Sequence, residues 1–189
     1  MKLKKKSILL ACLAPLLSCC GSKCDKAEPS ATQPAWQSEL ARQLPLLGHR
    51  NWIVVTDMAY PLQTNPGITT LYADAPYADV VGQVNTMIKQ APHVFAHIYQ
   101  DSEQQRLSEQ LAPGWDAYKA SLRGVLDEAE VEYIPHEELI RRLDAESSLC
   151  RVVIIKTPLT LPYTSTFFNL DCGYWDADRE ARIRQGAGE

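Results

Sequence analysis

The order of segments along this chain predicts a three-layer α/β fold, a mostly parallel or mixed sheet with helices on both faces. Three observations carry it. From about residue 35 to residue 175, short apolar runs alternate with stretches whose apolar residues recur at helical spacing. Turn residues such as Pro61, Asn65, Pro66, Gly67, Pro113 and Gly114 punctuate them. The span has the length of one domain and holds no internal repeat.

Each element has its own signal. Trp36, Leu40, Ala41, Leu44 and Leu47 lie on one face of a helix over Trp36 to Leu47. Trp52 to Val55 is a short apolar run, a buried strand. After the Pro61–Gly67 loop, Ile68 to Tyr72 is a second strand. Tyr77 to Gln90 predicts a helix with Val80, Val81, Val84, Met87 and Ile88 inward, and Val94 to Tyr99 a strand. Ser102 to Leu111 and Trp115 to Ala129 read as helices broken at Pro113-Gly114. Val131 to Ile134 is a strand, and Pro135 starts a helix over His136 to Ala145. Arg151 to Lys156 and Thr164 to Leu170 are the last strands. The tail, residues 176–189, is mostly charged and is expected to be partly helical or frayed.

The N-terminus carries a targeting signal. Met1 to Lys6 holds four lysines, and Ser7 to Leu17 is mostly apolar, about the length of a signal-peptide core and too short to span a bilayer. It ends in Leu16-Leu17-Ser18-Cys19, which resembles the lipobox of a bacterial lipoprotein. That pattern implies cleavage of residues 1–18, acylation of Cys19 and a lipid anchor in the cell envelope, on the periplasmic side or at the outer membrane. Cys20 is not Asp, so nothing argues for retention at the inner membrane. Residues 19–34 are polar and read as a flexible tether. Removing residues 1–18 removes four lysines and no acid, so the formal charge goes from -4 to -8. An acidic chain without a basic stripe argues against nucleic acid as a partner.

Among the cysteines, Cys20 and Cys24 lie in the tether with no ligand-spaced His or second Cys pair nearby. Cys150 and Cys172 bracket the last two strands. If those strands pair antiparallel about residues 160–161, the two cysteines face each other. A disulfide and two free thiols both fit this reading. The sequence holds no GxGxxG, P-loop, HExxH, CxxC or GxSxG, so nucleotide and metal sites have no motif support.

Around the first strand, His49 precedes the apolar run and Asp57 follows it. One reading puts an imidazole and a carboxylate, the groups best suited to proton transfer near neutral pH, at one sheet edge. The other has His49 at a helix end and Asp57 opening a turn. His93 and His97 read as structural, and Tyr99, Gln100 and Asp101 close the third strand at what would be the same edge.

Four segments then align. Leu47-Gly48-His49 with Val55-Thr56-Asp57-Met58-Ala59-Tyr60-Pro61 resembles the opening of the D-ribose pyranase and L-fucose mutarotase family. Asn65-Pro66-Gly67-Ile68 is similar to that family's next turn and strand, and Tyr133-Ile134-Pro135-His136-Glu137-Glu138-Leu139 to its late His segment. Ile155-Lys156-Thr157 through Pro162-Tyr163-Thr164-Ser165 resembles its last signature, Ile-Arg-Thr-Gly-Glu followed by Pro-Tyr-Ala-Asn. The order holds from about Trp36 to Gly173, so residues 35–175 read as an RbsD/FucU-like domain.

The resemblance implies a cofactor-independent isomerase that interconverts cyclic forms of a free monosaccharide by acid–base ring opening, with no metal. It implies His49, Asp57 and His136 as catalytic groups and Tyr163, Ser165 and Lys156 as sugar contacts; Asp101 is a further candidate contact from its place at the end of the third strand. It also implies a homo-oligomeric ring whose sites are completed by a neighbouring subunit. Two positions depart from the pattern. Pro158-Leu159 stands where the family has Gly-Glu, and Ser165 where it has Asn. The first loses a charge and the second shortens a polar side chain. A non-catalytic sugar-binding lipoprotein and a structural ring-forming lipoprotein are the alternatives.

Overall fold

The computed structural model describes residues 34–186. The expected signal peptide, Cys19 and all but Pro34 of the expected tether lie outside the described residues.

Helix α1, Ala35–Gln43, leads through a short turn, Leu44–Leu46, to β1, Trp52–Thr56. Then come β2, Ile68–Tyr72, α2, Tyr77–Gln90, and β3, Val94–Asp101. Helix α3, Trp115–Leu122, precedes β4, Val131–Ile134, and α4, His136–Ser147. Strands β5, Val152–Lys156, and β6, Thr166–Cys172, are followed by α5, Ala177–Gly186. The sheet order is β2-β5-β1-β6-β3-β4. Parallel pairs β2·β5, β1·β5 and β3·β4 flank β6, which runs antiparallel to both β1 and β3. The sheet is therefore mixed, as the α/β reading allowed. Its reversed strand follows from length. A parallel return from β5 needs a crossover of roughly a dozen residues or more, and residues 157–165 only carry the chain past the end of β1.

Strand side chains alternate between two cores. Ile53, Val55, Val153, Ile155, Phe168 and Leu170 pack with Leu40 of α1, Val80, Val81 and Val84 of α2, and Trp115 and Tyr118 of α3. Trp52, Val54, Val152, Ile154 and Phe167 pack with Leu139 and Leu143 of α4. With both faces of the central strands covered, β1 is apolar from Trp52 to Val55, not alternating. Pro76 and Pro135 sit just before α2 and α4 with φ of -56° and -53°, the ring presetting the chain for helix entry.

Three segments differ from the sequence reading, each for a local reason. The first helix stops at Gln43, and the next turn holds Pro45, which lacks the N–H a continuing helix needs. Ser102 to Leu111 contains only the short turn Ser102–Arg106. There the Glu109 carboxylate instead accepts from the backbone N–H of Gly114 and Asp116, at 2.8 and 3.0 Å, tightening the bend into α3. Helix α3 ends at Leu122 because Gly124 turns with φ +74°, letting Val125 and Leu126 pack back on the core.

The expected facing of Cys150 and Cys172 is not found. β1 lies between β5 and β6, so the two strands never pair, and both thiols are free. The tail is helical over α5, with no buried residue. No helix among the described residues is long and apolar enough to cross a membrane.

Candidate functional site at the sheet edge

The ends of β1, β3 and β5 and the start of β6 meet at one edge of the sheet. Parity puts Thr56, Lys156, Ser165 and Asp101 on the face covered by α4. Asp101 is fully buried, and its Oδ1 lies 3.1 Å from Nδ1 of His136, the first residue of α4. Burial pushes the Asp101 carboxyl above its usual range, against the pull of the bonded imidazole. The same bond holds the His136 imidazole above its ordinary value, although burial opposes it. The His136 backbone N–H donates to both oxygens of Glu103 at 3.0 and 3.1 Å, so the helix start is pinned to the turn after β3.

Tyr163 stands against this pair. Its ring meets the His136 imidazole edge-on at 5.6 Å, and the residue is 41% exposed. Its φ is +55°, a left-handed conformation that costs a non-glycine residue on the order of 1 kcal/mol. Arg50 at +70° is the other such residue among the described residues, directly after His49. One strained residue is thus Tyr163 itself, and the other adjoins His49.

Thr56 Oγ1 and Asp101 Oδ2 are buried without a protein partner. They sit on the two strands that flank the start of β6. Each unpaired buried polar group costs roughly 1–3 kcal/mol, so this edge of the fold retains hydrogen-bonding capacity at a stability cost.

The other sequence candidates are placed as follows. Asp57 opens a turn, its Oδ1 accepting from the Ala59 N–H at 2.7 Å. Lys156 donates from Nζ to the Tyr60 carbonyl at 2.5 Å. Ser165 is buried. Leu159, where the resemblance expects Glu, packs half-buried on the α2 side of the sheet and lends its carbonyl to the Met58 N–H.

His49 does not join them. The reading that put His49 and Asp57 at one edge is corrected by the strand between them. β1 rises about 3.3 Å per residue, so the two lie roughly 20 Å apart at opposite ends of the sheet. His49 sits in a turn closed by the Asn51 N–H on the Gly48 carbonyl, 3.0 Å, and by the Gly48 N–H on Asn51 Oδ1, 2.7 Å. Its Nδ1 is 2.6 Å from Asp171 Oδ1. His93 is structural, its Nε2 on the carbonyls of Leu44 and Leu47. His97, expected to be structural, instead reaches Asp171 Oδ2 at 3.5 Å with half its side chain exposed.

Sequence reasoning missed Thr56, Glu103 and Asp171. The pairing of β6 with β1 and β3 brings Asp171 to His49, and the packing of α4 on the sheet brings His136 to Glu103; no local pattern encodes either contact. A cavity of about 490 Å³ lies behind Gln100 on the opposite face, walled by Trp115, Tyr118 and Tyr133, and does not include the His136–Asp101 pair. No group of three His, Cys, Asp or Glu positioned for a metal ion occurs among the described residues.

The profile of the RbsD / FucU transport protein family matches residues 31–170. The chain belongs to that family. The matched span runs from just before α1 into β6 and so contains the whole sheet edge with its His136–Asp101 pair. Among solved structures, the chain is similar to Bacillus subtilis RbsD complexed with D-ribose, at 20% identity and a TM-score of 0.48, covering 71% of this chain and 92% of that one. It is also similar to the fucose mutarotase from Streptococcus pneumoniae in complex with L-fucose, at 15% identity and a TM-score of 0.46, covering 70% of this chain and 91% of that one. No curated protein matches the sequence at a significant level.

Proposed function

We propose that this RbsD/FucU family member is a cofactor-independent sugar mutarotase or pyranase, held to a membrane by an acylated Cys19. The observation that carries the reading is the His136–Asp101 pair facing Tyr163, set beside two unpartnered buried polar atoms. An imidazole backed by a buried carboxylate moves protons near neutral pH. An exposed aromatic ring offers a sugar both a flat face and a hydroxyl.

Ring opening needs two proton transfers at the anomeric centre. A base takes the proton of the anomeric hydroxyl, and that oxygen becomes the carbonyl oxygen. The bond from C1 to the ring oxygen breaks, and an acid protonates the ring oxygen as it leaves. Closure by the reverse steps, after rotation or attack by another hydroxyl, gives the other anomer or ring size. His136 is suited to one transfer, with Asp57, Ser165 and Tyr163 binding hydroxyls.

In this reading His49 supplies the second transfer from a neighbouring copy, because it lies at the opposite end of its own sheet. A contact joining opposite ends of identical subunits is head-to-tail, the kind that closes into a ring. The tether, about fifteen residues, reaches roughly 20 Å as a flexible coil and allows such a ring beside a membrane. Support for the anchor is the Leu-Leu-Ser-Cys pattern after the lysine-rich start; Cys19→Ser would move the protein from the detergent phase to the aqueous phase.

The test is exchange NMR of the full-length protein with ribose, fucose, galactose and glucose. Faster exchange for one sugar, lost in His136→Ala and in His49→Ala, supports the enzyme. Binding without acceleration supports a sugar-binding lipoprotein, the reading favoured by Leu159, which puts an apolar residue where the family pattern has Glu. No effect with any sugar supports a structural role.

A further inference from the structure

We infer that Asp171, backed by His97, is a positioning residue for His49: it holds the imidazole with its proton on Nδ1 and presents Nε2 as the atom that exchanges protons with substrate. The inference rests on the reading of His49 as a proton-transfer group.

The geometry is specific. Asp171 Oδ1 lies 2.6 Å from His49 Nδ1, and Oδ2 lies 3.5 Å from His97 Nε2. The carboxylate is itself oriented, because Oδ1 also accepts from the Cys172 backbone N–H at 2.6 Å. Burial pushes the Asp171 carboxyl up, but the Cys172 N–H, His49 and His97 more than offset this, and it lies below the usual carboxylate value. An ionised carboxylate only accepts, so the nitrogen facing it carries the proton. The far nitrogen of His49 is then an acceptor, on a side chain 63% exposed.

The turn carrying His49 is fixed from several sides. Arg50 adopts φ +70° and keeps it through three anchors. Its N–H donates to the Leu170 carbonyl at 2.9 Å, and its guanidinium makes two bonds to Glu146 at 3.0 and 3.1 Å. A strained, over-determined turn next to an exposed imidazole marks a group held for use. Phe95 packs edge-on against His97 at 5.0 Å and limits its rotation. In free neutral histidine the proton prefers Nε2, so the opposite tautomer is a signature of the Asp171 bond.

The experiment reads both tautomer and rate on the full-length protein. Heteronuclear NMR of the ring nitrogens should find neutral His49 protonated on Nδ1. Asp171→Ala should return it toward the Nε2–H form and slow sugar exchange about tenfold or more, with sugar affinity within about twofold. Asp171→Asn keeps the shape and should slow exchange at least as much, since its amide N–H favours the wrong tautomer. His49 on Nε2–H in the unmodified protein, or a tautomer indifferent to Asp171→Ala, overturns the inference. If the unmodified protein does not accelerate exchange, the proposed function fails, and the tautomer measurement alone decides this inference.

Discussion

Replacing Asp101 by Asn keeps the side chain's shape and removes its charge, which isolates what the carboxylate does for His136. The bond at 3.1 Å is charge-assisted in the native pair. Its loss costs about 1.5–3 kcal/mol. Relief from burying a fully covered carboxylate returns part of that, leaving a net loss of about 1–2 kcal/mol. For a domain of this size that is a fall in Tm of about 2–8 °C. The pH dependence has a definite sign. The folded His136 imidazole lies above its unfolded value, so the stability from its proton is fully present below the unfolded value, about 6.5. It is lost as the pH rises through the raised folded value. The variant should therefore be weaker than the native protein by more at about pH 6 than at about pH 8.5. The assay is the His136 ring-proton titration by NMR, paired with thermal unfolding at both pH values. The midpoint should move down in Asp101→Asn. A midpoint that stays in place would refute the claim that Asp101 sets the protonation of His136.

Three further outcomes are expected. Tyr163→Gly should change stability by less than about 1 kcal/mol, because relief of the φ of +55° offsets the lost ring packing and the chain entropy of glycine, while weakening sugar binding severalfold through loss of the ring; calorimetric unfolding and an NMR sugar titration read the two effects separately. Gly67→Ala should destabilise by at least about 2 kcal/mol, because a Cβ there would stand 2.0 Å from the Ser147 carbonyl oxygen and 2.9 Å from that of Cys150, both backbone; chemical unfolding measures it. Alkylation of the unreduced, unfolded protein followed by peptide mass spectrometry should mark both Cys150 and Cys172, since β1 separates their strands.

The elements were legible in the sequence where a local rule governs them. The apolar run Trp52–Val55, the valine stripe of α2 and the prolines before α2 and α4 each carry enough local energy to specify their own structure. Legibility failed where side chains outside the segment decide. Ser102–Leu111 has helix-compatible residues, but Glu109 spends its carboxylate on backbone N–H groups of the next bend. The site was half legible. His136, Asp101 and Tyr163 are each singled out by the sequence and meet at one edge. Glu103 is not, because its role as the anchor of α4 depends on a contact across more than thirty residues.

The sequence by itself determined the alternation of strands and helices, the two-faced burial of the central strands and the family, because residue type and spacing act over a few residues. Only the tertiary structure decided where β6 goes. By entering antiparallel between β1 and β3, it separates Cys150 from Cys172 and sets Asp171 against His49. It also shows that His49 and Asp57, eight residues apart along a strand, occupy opposite ends of the sheet. Strand order and register come from the combined packing of both faces, a sum over the whole domain that no short stretch of sequence contains.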